Sequence, residues 1–269
     1  MKIRNLLLPV ALGASLLMTA PSALASTTTP PVAANRGDSG VSFNTVVSYQ
    51  SIPAAARASV IAAAQRDAYE SLKHEPGTLA IHVVPDPEDA TRIVVTGTFT
   101  DRRAFEAHLR GSAERAFRAV ASRDGVSGPD YTIAGTSLEP LGSDGATAGS
   151  HGDNGGSVYT VVAVDEVPVQ DRAPFVASIQ ADAYGSLTTE AGTLGFHCVP
   201  DPKDPGRFVF VEAFTGVDAF NAHVSDGPAK AFLALVAQYN VAATFTVTGA
   251  TLSGNGFGEP GGFSVPNQR

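Results

Sequence analysis

Among the side chains able to do chemistry, two histidines that recur at one fixed distance, His108 and His223, come first. An imidazole titrates near neutrality, so either could take the proton of a phenol or hold its oxygen; the alternative is a structural tie between helix and sheet. Glu212 lies within the strand-like run Phe208 to Phe214, where alternation puts its carboxyl on the same side as Phe208, Phe210 and Phe214. A carboxyl among aromatic rings must be paired or protonated. His82 and His197 share their strand faces with Ala80 and Val84 or with Gly195 and Val199, leaving room for a ligand or for a neighbouring sheet. Tyr69 and Tyr184 fall on a helical pattern, where the hydroxyl could bind a phenolic substrate or the ring could simply pack. The expected roles are therefore catalytic for Glu212, His223 and His108, and substrate-binding for Tyr69, Tyr184, His82, His197, Phe208 and Phe210. No metal site is expected, because no carboxylate stands at a short recognisable spacing from the histidine pairs. Cys198, the single cysteine, excludes a multi-cysteine centre and reads as a small hydrophobe in a strand.

These residues come in pairs because the chain repeats itself. Ala68-Tyr69-Glu70-Ser71-Leu72 recurs as Ala183-Tyr184-Gly185-Ser186-Leu187, and Glu75-Pro76-Gly77-Thr78-Leu79 as Glu190-Ala191-Gly192-Thr193-Leu194. Ala104-Phe105-Glu106-Ala107-His108 recurs as Ala219-Phe220-Asn221-Ala222-His223. At an offset of 115, about 34 of 78 positions in 43–120 are identical, which identifies a tandem duplication. Each copy predicts a first strand, a long alanine-rich helix opened by Pro53 or Pro168 and closed by Gly77 or Gly192, and two strands joined by a Pro-Asp-Pro turn. A helical pair and a last strand complete a βαββαβ unit. The fold class is thus α+β, with two tandem ferredoxin-like repeats at 42–138 and 157–252.

Composition bounds the rest. The 269 residues are 43% hydrophobic and 16% charged, with 18 basic against 26 acidic side chains. A net charge of −8 without a basic run outside the extreme N-terminus argues against nucleic acid as a partner. Lys2 and Arg4 precede the apolar run from Leu6 to Met18, and Ala23-Leu24-Ala25 follows it. Residues 1–25 therefore read as a signal peptide cleaved near Ala25, which implies a secreted or periplasmic protein with no membrane span. Residues 26–41 read as a disordered leader whose Arg36-Gly37-Asp38 is a chance match, 139–156 as a Gly/Ser-rich linker and 253–269 as a loose tail.

At Glu-x-Gly-Thr-Leu, at the third strand carrying Glu212 and at Ala-Phe-x-Ala-His, the chain resembles the antibiotic biosynthesis monooxygenase family of the dimeric α+β barrel proteins. The resemblance covers both repeats. It implies that the two halves form within one chain the barrel that family members form as homodimers, giving a monomer with an intramolecular pseudo-dimer. It also implies oxidation of a small aromatic, quinol or polyketide-like substrate by molecular oxygen without a bound cofactor, in an apolar pocket enclosed by the half-barrels. By the geometry of that family His223 is the nearest partner for Glu212, and since Gly97 matches Glu212, such a pair is expected in the second repeat only. Relatives that degrade haem use a tryptophan, and this chain has none, so haem is not the expected substrate. The competing reading is a non-catalytic small-molecule-binding barrel.

Overall fold

The computed structural model describes residues 42–138, 158–250 and 252–253. The segments expected as signal peptide (1–25), leader (26–41), linker (139–156) and, apart from residue 253, tail lie outside the described residues. The first repeat runs β1 (Phe43–Gln50), α1 (Arg57–His74), β2 (Thr78–Pro85), β3 (Ile93–Phe99), α2 (Arg102–Leu109), α3 (Ser112–Arg123) and β4 (Ser127–Thr136). The second runs β5 (Tyr159–Glu166), a 3-10 turn (Val169–Asp171), α4 (Arg172–Thr189), β6 (Thr193–Pro200), β7 (Arg207–Phe214), α5 (Val217–His223), α6 (Gly227–Gln238) and β8 (Ala242–Ala250), then a short β9 (Leu252–Ser253).

Local chemistry sets most boundaries. Each helix-opening proline starts one tight turn ahead of the helix itself: Ala56 N–H donates to Pro53 O and Asp171 N–H to Pro168 O. In the Pro-Asp-Pro turns the aspartate side chain accepts the N–H two residues on, Glu88 to Asp86 and Lys203 to Asp201, both at 2.8 Å, the Asx geometry that such a turn favours. Arg92 and Arg207 then pair with Asp86 and Asp201. Asp101 caps α2 by accepting from Ala104 N–H at 2.9 Å.

Gly77 and Gly192 do not end the long helices, which stop at His74 and Thr189. They are glycine for another reason. A Cβ at either position would stand 2.5 Å from the Cβ of Ala104 or Ala219, so only glycine lets this loop lie flat against α2 or α5.

Both sheets are antiparallel and share one order of strands, last-first-third-second, as β4-β1-β3-β2 and β8-β5-β7-β6. β9 extends the first sheet beyond β2 with Leu252 opposite Val83. The mirror contact is Leu138 N–H donating to Cys198 O at 2.7 Å, so each repeat sends its end onto the other's second strand. Between the sheets lie Val46, Val84, Val94 and Ile133 from one repeat and Val162, Val164, Val199, Val209 and Val211 from the other. These nine form a single buried cluster, and the two halves therefore make one barrel inside one chain. Its interior is packed aliphatic core there, which corrects the expectation of an apolar pocket enclosed by the half-barrels.

The offset of 115 also fails for the first strand. Thr45 pairs with Gly97 and Val161 with Glu212, so β1 and β5 correspond at 116. A one-residue slip moves every side chain to the other face. Tyr49 and Asp165 thereby become equivalent residues facing the helices, where the ungapped comparison equates Tyr49 with Val164.

Candidate active site

In each repeat a buried polar network lies between the sheet and its helices, built from three duplicated motifs. His108 on α2 places Nδ1 at 3.0 Å from Glu75 Oε2 and 3.2 Å from Ser71 Oγ, and Ser71 donates to Asp67 Oδ1 at 3.2 Å. His223 on α5 repeats this with Glu190 Oε2 at 3.1 Å, Ser186 Oγ at 3.2 Å and Asp182 Oδ1 beyond it. Thr78 and Thr193 donate their hydroxyls to the same glutamates at 3.0 and 2.6 Å. Because a carboxylate only accepts, a ring proton sits on Nδ1, and Nε2 faces the space under the sheet. The glutamate reaches the imidazole because the Gly77 or Gly192 loop lies against the helix that carries it.

The expected pair of Glu212 with His223 exists only as a longer contact, Nε2 to Oε2 at 3.9 Å. Glu190 is the partner that hydrogen-bonds His223, and the first repeat has its own pair in Glu75 and His108. The expectation that a Glu–His pair occurs in the second repeat alone is thus corrected. Glu212 points among aromatic rings as alternation predicts. Phe214 packs at a tilt against His223 at 5.2 Å, and Phe196 meets it edge-on at 5.8 Å. Burial, then the nearby carboxylates of Asp182, Asp165 and Glu190, push the Glu212 carboxyl up to about 8. Asp165 and Asp182 are both raised to about 6, chiefly by burial.

The first repeat redistributes this charge. Gly97 stands where Glu212 does, and a carboxyl enters the same layer from the helix side through Glu114, whose counterpart is Ala229. Asp67, His108 and Glu114 each bring one donor atom within 4.8 Å of the others, and all three are buried. Glu114 pairs with Arg118, which also donates to the Tyr131 hydroxyl at 3.1 Å. Burial and the Glu114 carboxylate raise the Asp67 carboxyl far above its ordinary range. A cavity of about 30 Å³ opens here, lined by these three residues with Tyr49, Gly97 and Tyr131 among others. Phe117, tilted against Tyr49 at 4.8 Å, lines both this cavity and an open groove of about 700 Å³ between α1 and α3.

The other expected site residues lie elsewhere. Phe208 and Phe210 pack with Phe175 in the core beneath α4. Tyr69 lies half-buried on α1 with the Lys73 ammonium 5.5 Å over its ring, and Tyr184 lies at the edge of the second core. His197 faces the other repeat, with Nδ1 at 3.2 Å from Ser42 Oγ, and His82 is buried opposite Thr96. Cys198 is buried, and burial pushes its thiol up. Sequence reasoning missed Glu75, Glu190, Asp67, Asp182, Ser71, Ser186, Glu114 and Asp165 as members of the site. The first six were visible as polar residues duplicated in place; Glu114 and Asp165 are not duplicated and gave no signal.

Against known proteins, the family model for antibiotic biosynthesis monooxygenase matches residues 44–120 and 158–235. The chain belongs to that family, twice over. Two solved structures share the fold, each described as a "putative monooxygenase". The one from Lactobacillus acidophilus NCFM is 16% identical, with a TM-score of 0.58, over 79% of this chain and 93% of that one. The one from Fusobacterium nucleatum subsp. nucleatum is 15% identical, with a TM-score of 0.61, over 78% and 91%. No curated protein sequence matches the chain. Among the described residues, no helix is long and apolar enough to cross a membrane.

Proposed function

We propose that the protein is a monooxygenase that oxidises a small electron-rich aromatic, a quinol or polyketide-like phenol, with molecular oxygen and no bound organic cofactor. One observation carries the reading: in the second repeat a base and an acid face each other across 3.9 Å beneath aromatic rings. His223 Nε2 carries a free lone pair, and Glu190 on Nδ1 stabilises the imidazolium that forms when it takes a proton. Glu212, with its carboxyl raised to about 8, is protonated at neutral pH and can give a proton. A buried carboxyl kept protonated beside an imidazole assigns Glu212 as the acid.

The steps balance for a ring methylene activated by a phenol. His223 takes a proton, the resulting carbanion reduces oxygen, and a carbon–oxygen bond forms to give a peroxide. Loss of the second carbon-bound proton and cleavage of the O–O bond, with Glu212 protonating the leaving oxygen, yield a carbonyl and water. The substrate supplies all the electrons, so one CH₂ and one O₂ become one C=O and one H₂O. The apolar surround protects the carbanion from water.

Oxygen uptake by the purified chain with a panel of anthrones and quinols tests this. We expect turnover that falls at least about a hundredfold in His223→Ala and in Glu212→Gln, the usual scale for a lost general acid or base. A chain that binds these aromatics and consumes no oxygen is a binding barrel, and the proposal fails. The N-terminal leader supports placing the reaction outside the cytoplasm, which recovery of processed chain from periplasm or medium would test. Light scattering at a single-chain mass would support the monomeric pseudo-dimer.

A further inference from the structure

We infer that the first repeat holds a divalent first-row cation between Asp67, His108 and Glu114. The three donors come from α1, α2 and α3, lie mutually within 4.8 Å and are buried. His108 Nε2 has its nearest carboxylate oxygen, Asp67 Oδ2, at 3.9 Å, beyond a hydrogen bond. In a site with metal–ligand distances of about 2.0–2.2 Å, neighbouring donors stand roughly 3.0–3.4 Å apart, so both Asp67 and Glu114 must move toward His108 to close the set.

Two further observations point the same way. A histidine that ligates through one nitrogen almost always gives its other N–H to a carboxylate, which fixes the ring; here Glu75 accepts from Nδ1 at 3.0 Å. The donors also line a cavity of about 30 Å³, above the roughly 10–15 Å³ that a water-sized occupant needs. Gly97 leaves that space open from the sheet, since a Cβ there would come within 2.9 Å of Thr45 Oγ1 and 2.7 Å of the Phe99 ring.

Charge completes the case. The groups lining this space are Asp67, Glu114, His108, Tyr49 and Tyr131; behind them Glu75 pairs with His108 Nδ1 and the Arg118 guanidinium pairs with Glu114. Three carboxylates against one guanidinium leave two negative charges in a low dielectric, which one divalent ion neutralises and which protons must otherwise cancel. One imidazole with two carboxylates suits Mn²⁺, Fe²⁺, Co²⁺ or Zn²⁺ better than Mg²⁺. In the second repeat Ala229 replaces Glu114, and Glu212 comes from the strand instead. The halves therefore divide their work: His223 keeps its lone pair for the substrate, and His108 gives its own to the ion.

The test reads binding and not turnover, so it stands apart from the oxygenase proposal. Full-length chain stripped with a chelator is titrated with Zn²⁺ and with Mn²⁺ by calorimetry, and Co²⁺ is added for its visible spectrum. We expect one ion per chain and cobalt bands typical of nitrogen and oxygen donors without a thiolate charge-transfer band. Glu114→Gln and Asp67→Asn should weaken Zn²⁺ at least about tenfold, and Glu75→Gln about 10–100-fold through ring orientation. Glu212→Gln should leave the affinity unchanged. Absence of stoichiometric Zn²⁺ or Mn²⁺ uptake overturns the inference, as does binding that survives in both ligand variants and disappears in His74→Ala, whose exposed pair with Glu70 is the alternative site. If a ligand variant fails to fold, the cobalt spectrum of the unsubstituted chain decides: bands lacking an imidazole contribution also overturn it.

Discussion

At Glu212 the proposed chemistry and the stability of the fold rest on the same proton. Its carboxyl is raised to about 8 in the fold against 4.5 for the ordinary group, so the folded chain holds a proton that the unfolded chain has released. Between those two values the unfolding free energy falls as pH rises; below about 4.5 the penalty is absent, and above about 8 it is complete. Its size is of order a few kcal/mol, since a tenfold change in proton affinity corresponds to about 1.4 kcal/mol. Asp165 and Asp182, raised to about 6, add in the same direction over a narrower window. Urea unfolding at pH 5, 7 and 9 should therefore show wild type weakening with pH and Glu212→Gln weakening less. The two should be equal within about 1 kcal/mol at pH 5, and the variant more stable at pH 9. An unchanged difference across that range would mean that Glu212 is ionised in the fold throughout. His108 and His223 were legible as candidates because each recurs within the same Ala-Phe-x-Ala-His motif. Their glutamates were legible only as parts of a motif, because a bond across 33 residues depends on a loop lying against a helix.

At the scale of elements the order and type of nearly every strand and helix could be read from the sequence, because apolar periodicity and proline or glycine punctuation agree in two independent copies. Register could not. The shift from 115 to 116 at the first strand is invisible in Val-rich stretches, where Val46-Val47 matches Val161-Val162 by type while the structure turns the faces over. That slip hid Asp165 as the counterpart of Tyr49 and hence as part of the site. The loop glycines, which the sequence places at helix ends, serve close approach instead, and this gives a direct check. Gly77→Ala and Gly192→Ala each place a methyl group 2.5 Å from an alanine Cβ, so each should cost about 1–3 kcal/mol, the usual scale of overpacking. Ala104→Gly should restore most of the loss caused by Gly77→Ala, apart from about 1 kcal/mol for a glycine within α2. A double-mutant cycle with no coupling would show that the loop and helix do not touch there. Gly192→Ala should also impair oxygen consumption, because the displaced loop takes Glu190 away from His223.

For the whole molecule, the duplication supplies what neither repeat has alone. The sheet of the first repeat turns Val46, Val84, Val94 and Ile133 toward the second, and each such side chain contributes about 1.5–3 kcal/mol when fully buried. A lone half exposes all four, together with the edges of β2 and β4, and so presents a contiguous apolar patch beside unpaired strands. Its own copy is the closest surface complementary to that patch, since the facing sheet in the full chain is a variant of the same sheet. Expressed alone, residues 42–138 should therefore form a homodimer, with Leu138 of each copy reaching the second strand of the other as it reaches Cys198 here. Val94→Asp should dissociate that dimer and leave a half that unfolds readily, because a carboxylate at the sheet interface has no partner there. Multi-angle light scattering on the isolated repeat and on its Val94→Asp form measures both effects. A stable monomer at millimolar concentration would show that the valine face is not what holds the barrel together, and the stitching of β9 and Leu138 across the two edges would then have to account for it.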